Sequence, residues 1–405
     1  MANSFNVTDL VTREVLRVAH EKLSFIGTID RQYDASFAAN GAKHGDSLRV
    51  QKPNQYLRRQ GSRVMDVQDQ DEQTSTITVA TQDGVDMKFN SAELALITPE
   101  SIDEFSKKYI EPAVSVLASG IEGDFLSFAT KAVYQQVGTA GTPPTDLAAI
   151  GAARAKLNQQ LAPKDGNRYV QMDSVTMGGL VNGLKGLFQD SNQIKEQYRE
   201  GMIGRTGMAD WYENERMYAH TNGSSDNVGT VNDSVASGDT SVTLAAMGNN
   251  GTITAGSIIT FAGCYDVHPE TKEAYAHLKQ FVITADATAN GSGAVTVSIS
   301  PAIITTGARQ NCSAVPTNTG AALITGSAST AYTQNLMYHK EAFQFITADL
   351  PLMADAAKCV RRNQDGLSMR VWQGSDIRND ELLMRIDILY GMAALRPEWA
   401  CRITN

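Results

Sequence analysis

Six histidines and four cysteines are the residues of this chain best suited to bind metal or act as nucleophile and base, and their spacing supports neither role. His20, His44, His220, His268, His277 and His339 are scattered, with no HExxH, no HxH and no G-x-S-x-G elbow beside a base. Cys264 and His268 make a C-x3-H pair, two ligands where a tetrahedral zinc site needs four. Cys264, Cys312, Cys359 and Cys401 stand more than 40 positions apart, so there is neither a CxxC pair nor a short-range disulfide framework, and four ordinary thiols of a reducing compartment are expected.

Phosphate chemistry fares no better. "AAMGNNGTITAG" suits a hairpin loop, "GSGAV" lacks the third glycine and following helix of a dinucleotide fingerprint, and there is no P-loop lysine. "DVQDQDEQ" has calcium-loop acidity without the central glycine or flanking helices, and reads as a solvated acidic loop. A carboxylate pair brought together only by the fold would be invisible at this level. No catalytic residue, cofactor or metal is expected.

The elements between these residues carry more information. Residues 8 to 23 predict a helix, with Thr8 as cap and Val11, Val15, Leu16, Val18, Ala19 and Leu23 on one stripe, which packs on its own chain or on a partner. The next stretch, to about residue 46, has no period and predicts an extended arm. "SLRVQKP", "TSTITVA" and "VDMKFN" alternate as half-exposed strands do. Between them the charge separates into Arg58, Arg59 and Arg63, then Asp66, Asp69, Asp71 and Glu72. A long two-stranded projection buries too little to stand alone, so this one is either a solvated loop or a docking arm whose two signs meet opposite charges on adjacent copies.

"TPESIDEF" opens a long helix: Thr98 or Ser101 can cap it, Pro99 fits its first turn, and the apolar stripe runs to about residue 136. At 1.5 Å per residue that is a rod of roughly 55 Å, with a bend expected at Pro112. "LAAIGAARAKLNQQL", capped by Thr145 or Asp146, and "NRYVQMDSVTMGGLVNGLKGLF" continue as an α/β layer. From 222 to about 334 the composition turns rich in Gly, Ser, Thr and Asn. "SVTLAAM", "GSIITFAG", "LKQFVITA" and "AVTVSIS" predict an inserted all-β module. "SMRVWQG" and "RIDILYGMAALRP" then predict strands that close a sheet begun far upstream.

The 405 residues carry a net charge of −9, with 42% hydrophobic and 20% charged residues, a globular balance that disfavours tight sequence-independent nucleic-acid binding. The N-terminus lacks a signal peptide's basic start and apolar core, which predicts synthesis in the cytoplasm, and no run of eighteen apolar residues could span a membrane.

In this order, a helical N-arm, a two-stranded excursion, a proline-bearing spine helix, a glycine-punctuated α/β domain and a last core strand resemble the major capsid proteins of tailed phages with the HK-97 fold. The closing "LYGMAALRPEWACRI" resembles the phage P-22 coat protein type, through Tyr390, Gly391, Arg396 and Pro397. "YREGMIGRTGMADWYENERM" and "GSIITFAG" resemble that family's loop before its insertion and a strand of its inserted barrel.

The resemblance implies an α+β capsid fold divided into an N-terminal arm (1–45), an E-loop (46–95), a peripheral domain with the spine helix (96–145), an axial domain in two parts (146–221 and 335–380), an inserted β-barrel (222–334) and a C-terminal core strand (381–405). It also implies hexamers and pentamers of an icosahedral head in the virion, with scaffolding protein, portal protein, a decoration protein as a further candidate, and packaged double-stranded DNA as partners. The loop tip carries arginines where cross-linking members of the fold carry a lysine, so a noncovalent shell is expected. Asp266, Glu270, Lys272 and Glu273, in "CYDVHPETKEAYAHLK", belong either to a folding element or to a loop reaching another capsomer. The rival readings are a tail-associated or adhesin-like structural protein and, behind it, a hydrolase.

Overall fold

The computed structural model describes residues 7–33, 47–59, 61, 63–65, 67–68, 72–90, 106–184, 205–353, 358–364 and 366–405. The chain divides into two compact units. One comprises Met1–Val50, Ser75–Phe125 and Phe343–Leu395, the other Gln51–Thr74, Leu126–Ala342 and Arg396–Asn405.

In the first unit the 14-residue strand Glu381–Ala394 organises a mixed six-stranded sheet. One edge of it pairs with Leu367–Asp376. The strand also pairs with Thr81–Asn90 from Glu381 through Tyr390 and with Phe343–Ala348 from Leu389 to Ala394. The edge strands are Lys358–Gln364 and Asp30–Tyr33. Aromatic side chains fill the core: Phe125 meets Phe25 edge-on at 5.2 Å, and Phe345 stacks on Tyr390 at 5.5 Å. Gly391 is there because the backbone of Thr78 crosses it. A Cβ at this position would lie 2.4 Å from the Thr78 carbonyl oxygen.

The N-terminal helix packs on its own chain, one of its two expected alternatives, and where an extended arm was expected residues 24–33 fold as a short helix and a strand. Helix Val7–Lys22 buries Val15, Leu16, Val18 and Ala19 in its own unit, and Ser24–Thr28 forms a second short helix with Phe25 and Ile26 buried. Glu122, wholly buried on the long helix, accepts hydrogen bonds from Ser24 N, Ser24 Oγ and Phe25 N at 3.2, 2.9 and 2.6 Å. It thereby satisfies donors that the first turn of that helix cannot use itself.

The long helix is shorter than expected over its described part. A wide π-type turn at Ser106–Ile110 leads into the α-helix Glu111–Ala132, about 33 Å long. Pro112 sits at the junction, the second residue of the α-helical part, where a missing N–H is least costly. The expected caps at Thr98, Pro99, Ser101 and Glu104 fall outside the described residues.

The second unit holds two β structures. A seven-stranded sheet is ordered Gln136–Val137, Ala400–Thr404, Ala331–His339, Arg168–Met172, Ala209–Glu213, Arg205–Thr206, with Ala219–Thr221 added to Ala331–His339. Helices Leu147–Gln159, capped by Asp146 to Ala148 N, and Ser174–Leu184 cover one face around Ile150, Ala153, Leu157, Met177 and Leu180. The other structure is a closed barrel of six strands, in the order Val228–Val231, Ser241–Ala245, Val295–Ser300, Ala274–Ile283, Ile258–Val267, Ala321–Ile324. Inward alternation, as in Val242 and Leu244 or Val295, Val297 and Ile299, packs it around Phe261 and Phe281.

Candidate functional site

Two regions stand apart from ordinary core: a loop with uncovered apolar side chains, and a buried polar seam where the barrel meets the seven-stranded sheet. The loop joins the paired strands Ser47–Lys52 and Gln73–Thr78. Gln68 holds its two sides together, donating through Nε2 to the Leu57 carbonyl and accepting from Leu57 N, both at 2.7 Å, as a backbone pair would. Arg59 donates to the Val64 carbonyl. This bracing displays Tyr56, Leu57, Val64, Met65 and Val67, the last three 75%, 77% and 80% exposed, next to exposed Arg58, Arg59 and Arg63. Glu72 is exposed and accepts from Gln51 Nε2 at 3.4 Å. Asp66, Asp69 and Asp71 lie outside the described residues, so the expected meeting of the two charge signs is not visible here.

The seam is built by the terminal strand. Alternation turns Cys401 and Ile403 toward the helices and Arg402 to the opposite face. Arg402, 1% exposed, donates from Nη1 to the Gly256 carbonyl of the barrel at 2.6 Å, while Nε and Nη2 have no partner among the described residues. Burial drags its pKa down to about 9. Beside it, His220 Nε2 is 3.0 Å from Ser257 Oγ, with Nδ1 unpartnered among the described residues. Burial first, then the charges of Arg402 and Lys131, lower the imidazole pKa to about 4. Gly256 leaves this corner room: a Cβ there would come within 2.9 Å of Lys131 Cγ and 3.3 Å of the His220 ring.

A second contact lies at the barrel end. Gln280 acts as an extra strand residue, accepting from Gln136 N and donating to the Gln136 carbonyl, both at 2.9 Å. Lys279, buried, donates to Asp266 at 2.8 Å and sits 4.9 Å from the centre of the Tyr134 ring. Gln160 Nε2 reaches the same carboxylate at 3.3 Å. Burial pushes the Asp266 carboxyl up, but His277 and Lys279 outweigh it and hold its pKa at about 2.

Asp266 therefore corrects the expectation of an outward contact. It is 3% exposed, and its charge is used inside the chain. Its loop neighbours differ. Glu270 and Glu273 are exposed at the tip of the hairpin formed by Ile258–Val267 and Ala274–Ile283, and Lys272 is half-buried, donating to the Ala308 carbonyl at 2.5 Å. His268 Nδ1 fixes this tip by accepting from Glu270 N and Thr271 N, both at 3.1 Å.

At the C-terminus Tyr390 is core, its phenol pushed up to about 12 by burial. Arg396 lies over the Trp399 ring at 4.1 Å, and Pro397 starts the single turn Pro397–Trp399 before the last strand. Trp399 Nε1 in turn donates to the Gln160 carbonyl at 3.1 Å. Sequence reasoning missed Arg402, His220, Lys279 and Glu122. The one available signal was the apolar setting of Arg402 in "WACRIT", an arginine at a position whose neighbours are core.

Among the described residues no cluster of His, Cys, Asp and Glu could hold a metal, and no helix is long and apolar enough to cross a membrane. The family model described as P22 coat protein, gene protein 5, matches residues 1–402. The chain belongs to the P22 coat protein family. It is a major capsid protein, a structural protein of a phage head shell and not an enzyme.

No curated protein sequence is matched by this coat protein. Similar solved structures include Mycobacterium phage Che8 (10% identity, 92% of this chain and 88% of that one, TM-score 0.45) and the capsid of Ralstonia phage GP4 (8%, 93% and 87%, TM-score 0.45). A virus-like particle from Pyrococcus furiosus is also similar (8%, 98% of both chains, TM-score 0.39).

Proposed function

We propose that this coat protein assembles as hexamers and pentamers of an icosahedral procapsid with the HK-97 subunit plan, and that the loop within residues 46–95 lies across the neighbouring subunit. The observation that carries this is the braced loop with Val64, Met65 and Val67 uncovered beside three arginines. An apolar patch held in fixed geometry has no solvation advantage and gains by being covered. Identical copies supply many weak contacts of this kind, which sum to a stable closed shell while each remains reversible enough to correct errors.

In this reading residues 1–45 form the N-terminal arm and 96–145 the peripheral domain. Residues 146–221 with 335–380 form the axial domain, 222–334 the insertion domain, and 381–405 the closing strands. Scaffolding protein guides assembly, portal protein fills one vertex, and a decoration protein is a further partner. Double-stranded DNA is packaged without sequence-specific contact. The subunit is made in the host cytoplasm and ends in the virion. Glu270 and Glu273 at the hairpin tip face outward to a second capsomer, with Lys272 beside them tied to the Ala308 carbonyl, whereas Asp266 does not take part.

Negative-stain microscopy of the expressed chain, with and without its scaffolding protein, tests this. Closed shells or polyheads are expected. Val64→Asp with Met65→Asp should leave the folded subunit intact and abolish them. Fibres, or monomers alone at high concentration with scaffold present, would overturn it.

A further inference from the structure

Arg402, His220 and Lys131 gather at the turn that leads into the barrel's longest hairpin, and each brings positive charge or a nitrogen donor. Arg402 Nη1 is 2.6 Å from the Gly256 carbonyl oxygen. A Cβ on Gly256 would stand 3.3 Å from His220 Nδ1 and 2.9 Å from Lys131 Cγ. The strand register puts Arg402 and His220 on one face of the seven-stranded sheet: His220 lies across from Tyr332, Arg402 across from Leu336, and these two share a side of their strand. Lys131 is exposed at the rim, its Nζ 5.3 Å from the centre of the Tyr218 ring. The ion pairs of this unit join Arg205 to Asp210, His277 and Lys279 to Asp266, and His339 to Asp165. None of them brings a carboxylate to this corner.

The donors left over have a definite shape. The Nε and Nη2 hydrogens of a guanidinium point the same way, as two parallel prongs that grip one acceptor. In Arg402 both prongs are buried and neither has a partner among the described residues. His220 Nε2 is 3.0 Å from Ser257 Oγ. When that hydroxyl donates, the ring proton is on Nδ1, which becomes a third buried donor without an acceptor among the described residues. Water would satisfy these N–H groups and leave the guanidinium charge uncompensated. An anion does both. The closeness of Lys131 and the imidazole to Gly256 favours a small ion, and the burial of Arg402 disfavours one with a solvated tail.

We propose that the Nε–Nη2 edge of Arg402 binds one monovalent anion of chloride size in the seam between barrel and sheet, with His220 Nδ1 beside it and the Lys131 ammonium adding positive potential from the rim. The ion is the counter-charge that the chain itself does not supply at this corner. It binds the folded state alone, because the turn and the terminal strand that enclose it are 146 residues apart in sequence and meet only on folding. Free chloride thereby becomes part of what holds the barrel on its sheet.

The test uses the full chain as isolated subunits, unfolded in urea at constant ionic strength. Sodium gluconate, whose anion is too large for the corner, is replaced by sodium chloride from about 3 to about 300 mM. The ratio of folded to unfolded chain should climb by at least about fivefold over that range, and its log–log slope should approach one, as binding of one ion per subunit requires. Sodium bromide should act as chloride does. Arg402→Met, which keeps the volume and removes the fork, should respond by less than about twofold. A flat response in the wild type would mean that the nitrogens are merely hydrated and would overturn the proposal. An equal response in Arg402→Met would overturn it too, by placing the effect elsewhere on the protein. If Arg402→Met does not fold, the wild-type slope decides alone, near one in support and near zero against.

Discussion

Arg402 donates through Nη1 to the Gly256 carbonyl at 2.6 Å, so the strand that ends the chain holds the turn that leads into the barrel's longest hairpin. The barrel is inserted in the middle of the sequence, yet part of its seat on the seven-stranded sheet comes from residues far downstream of it. A guanidinium without a carboxylate partner among the described residues is a costly way to make such a contact, because desolvation opposes the charge and two nitrogens stay unpaired there. Arg402→Ala removes the bond, opens a cavity and strands the Gly256 carbonyl, and should lower stability by about 2–4 kcal/mol. Arg402→Met fills the volume without the charge, and should recover at least about 1 kcal/mol of that loss. Urea midpoints of the two variants measure the difference. Equal losses would mean that the charge itself stabilises the seam.

The same corner predicts acid sensitivity. The His220 pKa is about 4 in the folded chain against an ordinary 6.5, so between these values the unfolded chain binds a proton that the folded chain does not. Stability therefore falls as pH drops from 6.5 toward 4, by up to about 3 kcal/mol. Asp266 acts in a lower window. Its contribution is complete above 3.8 and is lost as pH falls toward 2. Denaturation curves at about pH 7 and about pH 5 should separate for the wild type and approach each other in His220→Gln.

Gly391 tests the first unit. A Cβ 2.4 Å from the Thr78 oxygen cannot be relieved by rotating a side chain, because the obstacle is backbone. Gly391→Ala should cost about 2–4 kcal/mol and lower the yield of folded protein, as thermal unfolding would record.

Glu122 ties the N-terminal segment to the long helix. Glu122→Ala leaves Ser24 N and Phe25 N without their acceptor in a buried site, at about 2–3 kcal/mol. Amide exchange at Ser24 and Phe25 should quicken more than at Val15 or Val18. Uniform quickening would point to global destabilisation.

What the sequence disclosed and what it hid divide along the distance of the partner. The barrel strands were legible because alternation is local. Val242 and Leu244 point inward in a five-residue run whatever lies opposite. The helix Leu147–Gln159 was legible from its own Asp146 cap. Barrel closure was not, since it depends on Val228 pairing with Leu323 far along the chain. Nor was the short helix at Ser24, whose capping carboxylate lies on the long helix. Asp266 misled for the opposite reason. It sits among loop charges that are solvated, and only the fold brings Lys279 and Gln160 to it. The terminal strand Ala400–Thr404 was hidden behind the stronger pattern of the strand before it.

The central claim is that the braced loop bearing Val64, Met65 and Val67 is completed by another copy of the chain. Amide hydrogen exchange at Leu57, Val64, Met65 and Val67, compared between isolated subunits and assembled shells, tests it most directly. The account predicts fast exchange in the subunit and strong protection in the shell, while the barrel strands exchange alike in both. Equal protection of this loop in free and assembled protein would contradict it.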